Sequence, residues 1–351
     1  MKKTPVIVLN FKFLRVVFLL CTFLLSVIIS TTLAQKLSPL NIPKSFVESC
    51  ICQSVAFFKE STPERSVFSL LERKAIVQSE EKAQVQAKKV TPPKKESENI
   101  LARSPAPLSG EAVKINNSTN HSIDVNAYSA GVPDFLKEDI CVLIVHTHTT
   151  ESYTPSQKYS YTPSDTDRTL DKSYNMVRVG DEIEKVLTEN NIKVYHDTTI
   201  NDYPSYNGSY NKSSANVTNH IKNDPSIKIV LDVHRDAIEG QNGEKVKYTS
   251  KINGEDAASV MLVVGSNLSG LTHDEWEKNM HFAVTLQQHT EALYKGLCRP
   301  INFRSQRFNQ QLAPGSVIVE VGTNGNTLDE ALLGAKYFAQ SLAQFIKNAK
   351  A

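Results

Sequence analysis

Apolar positions are distributed very unevenly along the chain. Val16 to Ala34 reads VVFLLCTFLLSVIISTTLA, an uncharged run just long enough to span a bilayer as a helix. Lys2, Lys3, Lys12 and Arg15 precede it and no comparable basic cluster follows at once. The positive-inside rule then leaves residues 1–15 in the cytoplasm and carries the rest across the membrane. A cleaved signal peptide is the competing reading, but Thr32-Leu33-Ala34 matches a small-x-small cleavage site poorly and the run is long for one. An uncleaved anchor over 16–34 is therefore expected, with the body of the protein on the extracytoplasmic face. Residues 35–78 mix apolar and charged positions and read as a juxtamembrane region. From Ser69 to Ala127 there is no aromatic residue, and the stretch carries KKVTPPKKESEN and RSPAPLSGE. Such a composition buries too little apolar surface to offset chain entropy, so 79–125 is expected to be a flexible linker.

From residue 126 to 351 the pattern changes to alternating strands and helices. ICVLIV (140–145) is a continuous apolar run of the buried-strand type. Val179, Ile183, Val186 and Leu187 share one face of a helix over about 174–190, which Asn190-Asn191 ends. A strand at 192–195, a weak helix near 210–222, a strand at 227–233 and another at 259–264 follow. The spacing then predicts a long helix from Trp276 to Leu297, a strand at 316–321, and a last helix carrying Ala331, Ala335, Phe338, Leu342 and Phe345. This order implies an α/β fold with a mostly parallel sheet flanked by helices on both faces. In such sheets, sites lie beyond the carboxyl ends of the strands.

Charge and cysteine content narrow the chemistry. Lys+Arg 39 against Asp+Glu 37 leaves a formal charge of +2, which argues against a nucleic-acid partner. The five cysteines form no paired CxxC motifs and so neither a thiolate zinc cage nor a disulfide scaffold. The polar residues that follow the apolar strands carry more information. They read HTHTTESY (146–153), DVHRDA (232–237) and EVGTNGN (320–326). Neutral imidazoles with a carboxylate make a Zn²⁺ site that keeps a position for water, and a further carboxylate that is not a ligand can move the proton. Glu320, inside the apolar run VIVEV, is costly to bury unless paired or near a metal. His196, His220, His273, His281 and His289 are expected to be structural or solvated. The Tyr-rich segments 153–163 and 202–211 are loops that offer a binding rim.

The pieces HTHTTESYTP (146–155), NMVRVGDEI (175–183), LDVHRDAI (231–238), QQHTEALYKGLCRPI (287–301) and VIVEVGTNGNTLDEA (317–331) resemble the stage II sporulation protein P family of endospore-forming bacteria. More distantly, the domain is similar to zinc amidases of the amidase-3 type. The resemblance implies a membrane-anchored hydrolase of peptidoglycan at the sporulation septum or mother-cell membrane. It implies N-acetylmuramoyl-L-alanine amidase activity, D,D-endopeptidase activity on cross-links, and stage II sporulation proteins D and M as partners. Carried onto this sequence, it implies His148, Glu151 and His234 as metal ligands, with His146 and Asp171 as alternatives, and Glu320 as catalytic carboxylate. Arg235, Asp236 and Asn326 would bind substrate or support the ligands. Two other classes remain open at this point: a non-catalytic wall-binding scaffold, and a metal-dependent deacetylase of wall sugars.

Overall fold

The computed structural model describes residues 100–103, 113–164 and 166–350. The expected anchor over 16–34 and the 35–78 region lie outside these residues. Among the described residues no helix is long and apolar enough to cross a membrane.

Ten strands and four helices make up the described chain. They are β1 (Ile100–Arg103), β2 (Ile115–Asn117), β3 (Cys141–Val145), α1 (Met176–Glu189), β4 (Lys193–His196), α2 (Ser209–Asn223), β5 (Ile227–Asp236), β6 (Lys245–Ile252), β7 (Glu255–Ala258), β8 (Val260–Val264), α3 (Trp276–Leu293), β9 (Ile301–Phe303), β10 (Gly315–Thr323) and α4 (Leu328–Lys350). The main sheet has the order β2-β9-β8-β10-β5-β3-β4, and β1, β6 and β7 form a small second sheet. β3 and β5 are almost wholly buried, as strands covered on both faces must be.

The sheet is mixed, which amends the mostly parallel expectation. β10, β5, β3 and β4 run parallel to one another, and so do β8, β9 and β2, but β8 lies antiparallel to β10. The reason lies in the chain between β5 and β8. A parallel return needs a crossover of a dozen or more residues back to the starting edge. Here the intervening chain is instead spent on the β6–β7 hairpin, whose Asn253-Gly254 turn has φ of 53° and 87°. The hairpin stays at the carboxyl edge, where Thr323 Oγ1 donates to Val246 O (2.6 Å), so β8 starts there and runs back.

Most of the expected linker over 79–125 lies outside the described residues, and its described part carries two short strands. Within 79–125, Ile100–Arg103 pairs with β6 and Ile115–Asn117 pairs with β9. Two paired strands at either end of an otherwise polar stretch are held by backbone hydrogen bonds, which composition does not report.

Both faces of the main sheet are covered. Val142, Ile144, Leu231, Val233, Val317 and Val319 pack with Ile183 of α1, Phe282 of α3 and Phe338 of α4. On the other face Leu143, Val145 and Val230 meet Val217 of α2 and Ala313. Local signals set the helix ends. Asn175 caps α1 by accepting from Val177 N (3.0 Å), and Asn191 closes it with a positive φ of 60°. Thr327 and Glu330 form a reciprocal capping box at α4, with Thr327 N donating to Glu330 Oε2 (3.0 Å) and Glu330 N to Thr327 Oγ1 (3.3 Å).

α4 approaches β7 closely enough to need a glycine. A Cβ on Gly334 would stand 2.2 Å from Ala258 O, a backbone atom that has no room to give. Gly334→Ala is therefore expected to destabilise the fold by about 1–3 kcal/mol, although alanine favours a helix interior by about 1 kcal/mol. Urea denaturation followed by circular dichroism measures this. An unchanged or raised midpoint would mean that α4 and β7 are not packed as described.

Candidate active site

Strands β10, β5 and β3 are parallel neighbours, so their carboxyl ends open on one edge. Three distant sequence segments meet there. The register between β10 and β5 sets Glu320 directly beside His234. The loop after β3 brings His148 and Glu151 to the same place. His234 Nδ1 lies 3.4 Å from Glu151 Oε2, and the His148 and His234 rings stand perpendicular with centroids 5.3 Å apart.

His234 is held from both sides. Its Nε2 is 2.8 Å from Asp232 Oδ1, two residues earlier on the same face of β5. Asp232 is itself fixed by Thr147, which donates through its backbone N (2.7 Å) and its Oγ1 (2.6 Å). Burial alone would push the His234 imidazole down, but Asp232 and Glu151 hold it well above the usual histidine range. Burial likewise opposes the charge on Glu151, yet Arg235 and His234 hold its carboxyl down to about 2. His148 is pushed down to about 4, first by burial and then by the positive charge of His234.

Glu320 behaves differently. It is half-buried as a residue, but its Oε2 is enclosed and has no hydrogen-bond partner. Burial pushes its carboxyl up to about 8, with His234 pulling the other way and Asp236 and Glu151 adding to the rise. A carboxyl raised by burial to about 8, with the charged imidazole of His234 beside it, is the environment of a general acid–base group.

The donor set fits a divalent cation. His148, His234 and Glu151 supply two imidazoles and a carboxylate, and Asp232 occupies the far nitrogen of His234 as a carboxylate–histidine pair does around metals. The enclosed oxygen of Glu320 has no other partner. The ligand atoms are gathered rather than closed. Tyr206 OH sits 2.9 Å from His148 Nε2, with its ring stacked on the imidazole at 4.3 Å, and Ser209 Oγ lies 3.4 Å from Nδ1. Among the described residues, the histidine and carboxylate atoms that all lie within 4.8 Å of one another belong to a different group, Asp181, Glu184 and His196.

The remaining candidates take other places. His146 is wholly buried, its Nδ1 donating to Val233 O (2.9 Å) and its Nε2 facing His196 Nε2 (2.8 Å). Asp171 is exposed and accepts from Ser173 N (2.9 Å) in the turn before α1. Arg235 is buried, and its guanidinium donates to the carbonyls of Ser152 (2.9 Å), Thr166 (3.1 Å) and Asp167 (3.1 Å). Those donors are therefore taken, and Arg235 shapes the loop that carries Glu151 instead of receiving a substrate carboxylate. Asp236 pairs with Arg299 (2.9 Å), so the carboxylate that orients an imidazole is Asp232. Asn326 is fully buried. It accepts from Thr323 N (2.9 Å) and donates to Tyr248 O (3.1 Å), a staple between β10 and β6 and not a substrate contact.

Sequence reasoning passed over Asp232 and Arg168 here, and named Tyr206 only as part of the 202–211 loop. Asp232 was visible in the Asp-x-His spacing, since alternate strand residues share a face. Arg168 bridges Asp202 (2.5 Å) and Glu151 (3.4 Å) and lies 5.0 Å over the Tyr206 ring. Tyr206 is 54% exposed and forms the outer wall against His148. Nothing local in the sequence marks Arg168, whose role comes from contacts between separate loops, whereas Tyr206 lies in the Tyr-rich segment 202–211 read as a binding rim.

The family profile described as stage II sporulation protein P matches residues 48–343. The stage II sporulation protein P of Bacillus subtilis (strain 168) is 26% identical over 220 residues, or 60% of this chain and 52% of that protein, so the chain spans about half the length of the curated relative it matches. Among solved structures, the N-acetylmuramoyl-L-alanine amidase from Clostridium difficile 630 aligns at 13% identity and a TM-score of 0.34, covering 60% of this chain and 97% of that one. The catalytic domain of CwlV, an N-acetylmuramoyl-L-alanine amidase from Bacillus (Paenibacillus) polymyxa var. colistinus, aligns at 13% identity and 0.33, covering 59% and 98%. Scores this low do not by themselves fix an activity or a fold. The family match stands on its own: it spans most of the chain and encloses all three strand-end motifs, and this chain belongs to the stage II sporulation protein P family.

Proposed function

We propose that the chain is a sporulation peptidoglycan hydrolase that cleaves the amide between muramic acid and L-alanine, with D,D-cross-links of the stem peptides as a second substrate. The observation that carries this reading is the pairing of Glu320 with His234 across β10 and β5, which sets an unpartnered carboxylate oxygen beside two imidazoles and Glu151. Zn²⁺ held by His148, Glu151 and His234 would supply a bound water of lowered pKa and a Lewis acid for the scissile carbonyl. Membership of the family supports the wall substrate, the extracytoplasmic placement through the 16–34 anchor, and stage II sporulation proteins D and M as partners.

The chain's own residues have distinct tasks. Glu320 takes a proton as carboxylate and returns it to the departing amine, and its carboxyl, raised to about 8 by burial, is lowered again by any positive charge added beside His234. Asp232 holds the far nitrogen of His234 and so leaves Nδ1 turned to Glu151. Arg235 fixes the loop of Glu151 through three carbonyls. Tyr206, 54% exposed, walls the outer side and offers an aromatic edge to a sugar, while Arg168 is committed to Asp202 and Glu151 and braces that wall.

Digestion of purified muropeptides, followed by mass spectrometry with and without chelator, tests the reading. Release of intact stem peptide that stops on chelation and returns with Zn²⁺ is the expected result. Release of acetate would instead identify a deacetylase, and the absence of any metal-dependent product a scaffold.

Glu320→Gln is expected to retain Zn²⁺ and fold while turnover drops about 100- to 10,000-fold. Wild-type turnover in that variant would remove Glu320 from the mechanism. Asp232→Asn is expected to weaken Zn²⁺ binding by about 10- to 100-fold in competition with a chromogenic chelator. Unchanged affinity would mean that His234 is not a ligand.

A further inference from the structure

A second group of titratable side chains lies beyond His146. Asp181 and Glu184 stand three residues apart on α1 and therefore on one face, and His196 ends the neighbouring strand β4. The His196 side chain is only 2% exposed, whereas those of Asp181 and Glu184 are 48% and 41% exposed. His196 Nδ1 points between the two carboxylates, 3.3 Å from Asp181 Oδ1 and 3.4 Å from Glu184 Oε2, and has no hydrogen-bond partner.

Hydrogen-bond direction fixes what this nitrogen is. Val233 O can only accept, so His146 Nδ1 carries the proton of that 2.9 Å contact. The His146 ring is wholly buried, and its nitrogens meet a carbonyl and another imidazole, neither of them an anion. A buried imidazolium with no counter-ion in contact is costly, so the ring is neutral and its Nε2 accepts. His196 Nε2 must then donate across the 2.8 Å contact. A neutral His196 therefore turns the lone pair of Nδ1 toward two carboxylate oxygens. Three electron-rich atoms facing one another require a positive charge among them, either a proton or a metal ion.

Spacing favours the metal ion. Bonds of 2.0–2.2 Å in a tetrahedral shell put neighbouring donors about 3.3–3.5 Å apart. The two distances from Nδ1 match this, and all three donor atoms lie within 4.8 Å of one another. The helix also leaves room for the imidazole pair. A Cβ on Gly180 would stand 2.4 Å from His196 Nε2 and 2.8 Å from His146 Nε2.

We propose that Asp181, Glu184 and His196 form a divalent-cation site, of the nitrogen–oxygen class that takes Zn²⁺, separate from the His148, Glu151 and His234 cluster. The half-exposed carboxylates leave remaining positions to water. An ion there clamps α1 to the sheet-edge strand β4, and through His196 and His146 it fixes the backbone of β5 at Val233, next to His234.

The test counts metal and does not depend on wall hydrolysis. The full chain is stripped with chelator, dialysed against Zn²⁺ alone, and assayed by inductively coupled plasma mass spectrometry. The wild-type chain is expected to hold one more equivalent of zinc than the D181N/E184Q variant, and Zn²⁺ is expected to raise its unfolding temperature by more. Glu184→Gln alone, at a half-exposed helix position, is expected to bind this ion about tenfold or more weakly. Equal zinc counts in wild type and D181N/E184Q, or unchanged affinity in Glu184→Gln, would overturn the proposal. A Glu151→Gln variant keeps this ion while weakening the other, so the fates of the two sites are read separately.

Discussion

The register between β10 and β5 is the constraint on which the site depends. Strand pairing is set by backbone hydrogen bonds and by the apolar residues on either side, and a slip of one residue would turn Glu320 to the opposite face. Val317 and Val319 are buried with Leu231 and Val233 in the main core, and this packing keeps the register in place. A carboxylate and an imidazole that are remote in sequence are thus held side by side by the hydrophobic core beneath them.

Around that pair the structure concentrates buried charge. Asp232, His234, Glu151 and Arg235 are all less than a tenth exposed, which is tolerable only because each finds an opposite charge or several hydrogen bonds. Asp232 is satisfied by Thr147 and His234, and Arg235 by three carbonyls. Glu320 is the exception, with an enclosed oxygen that no protein group satisfies.

Much of the architecture was legible because buried strands leave long apolar runs and amphipathic helices leave spaced ones. β3, β5, β8, β10, α1 and α4 all stood out in this way. β2 and β9 did not, since three residues are too few to establish a period. The β6–β7 hairpin went unread although Asn253-Gly254 marked its turn, because KVKYTSKI alternates only weakly between buried and exposed positions. At the site, the histidines and carboxylates that the structure gathers were visible at strand ends. The errors were errors of tertiary context. Arg235 looked available for a ligand but is consumed by the loop folded over it, whereas His196, expected to be structural or solvated, is buried against His146.

The lengths of the strands carry one more consequence. The central members of the main sheet are long, at ten residues for β5 and nine for β10, whereas the outermost are four for β4 and three for β2. Unpaired backbone groups at a sheet border invite a neighbouring molecule to zip on, and a border this brief offers little for such a partner to grip. Tapering the sheet toward its margins lets a wide, strongly apolar interior coexist with crowding against other copies.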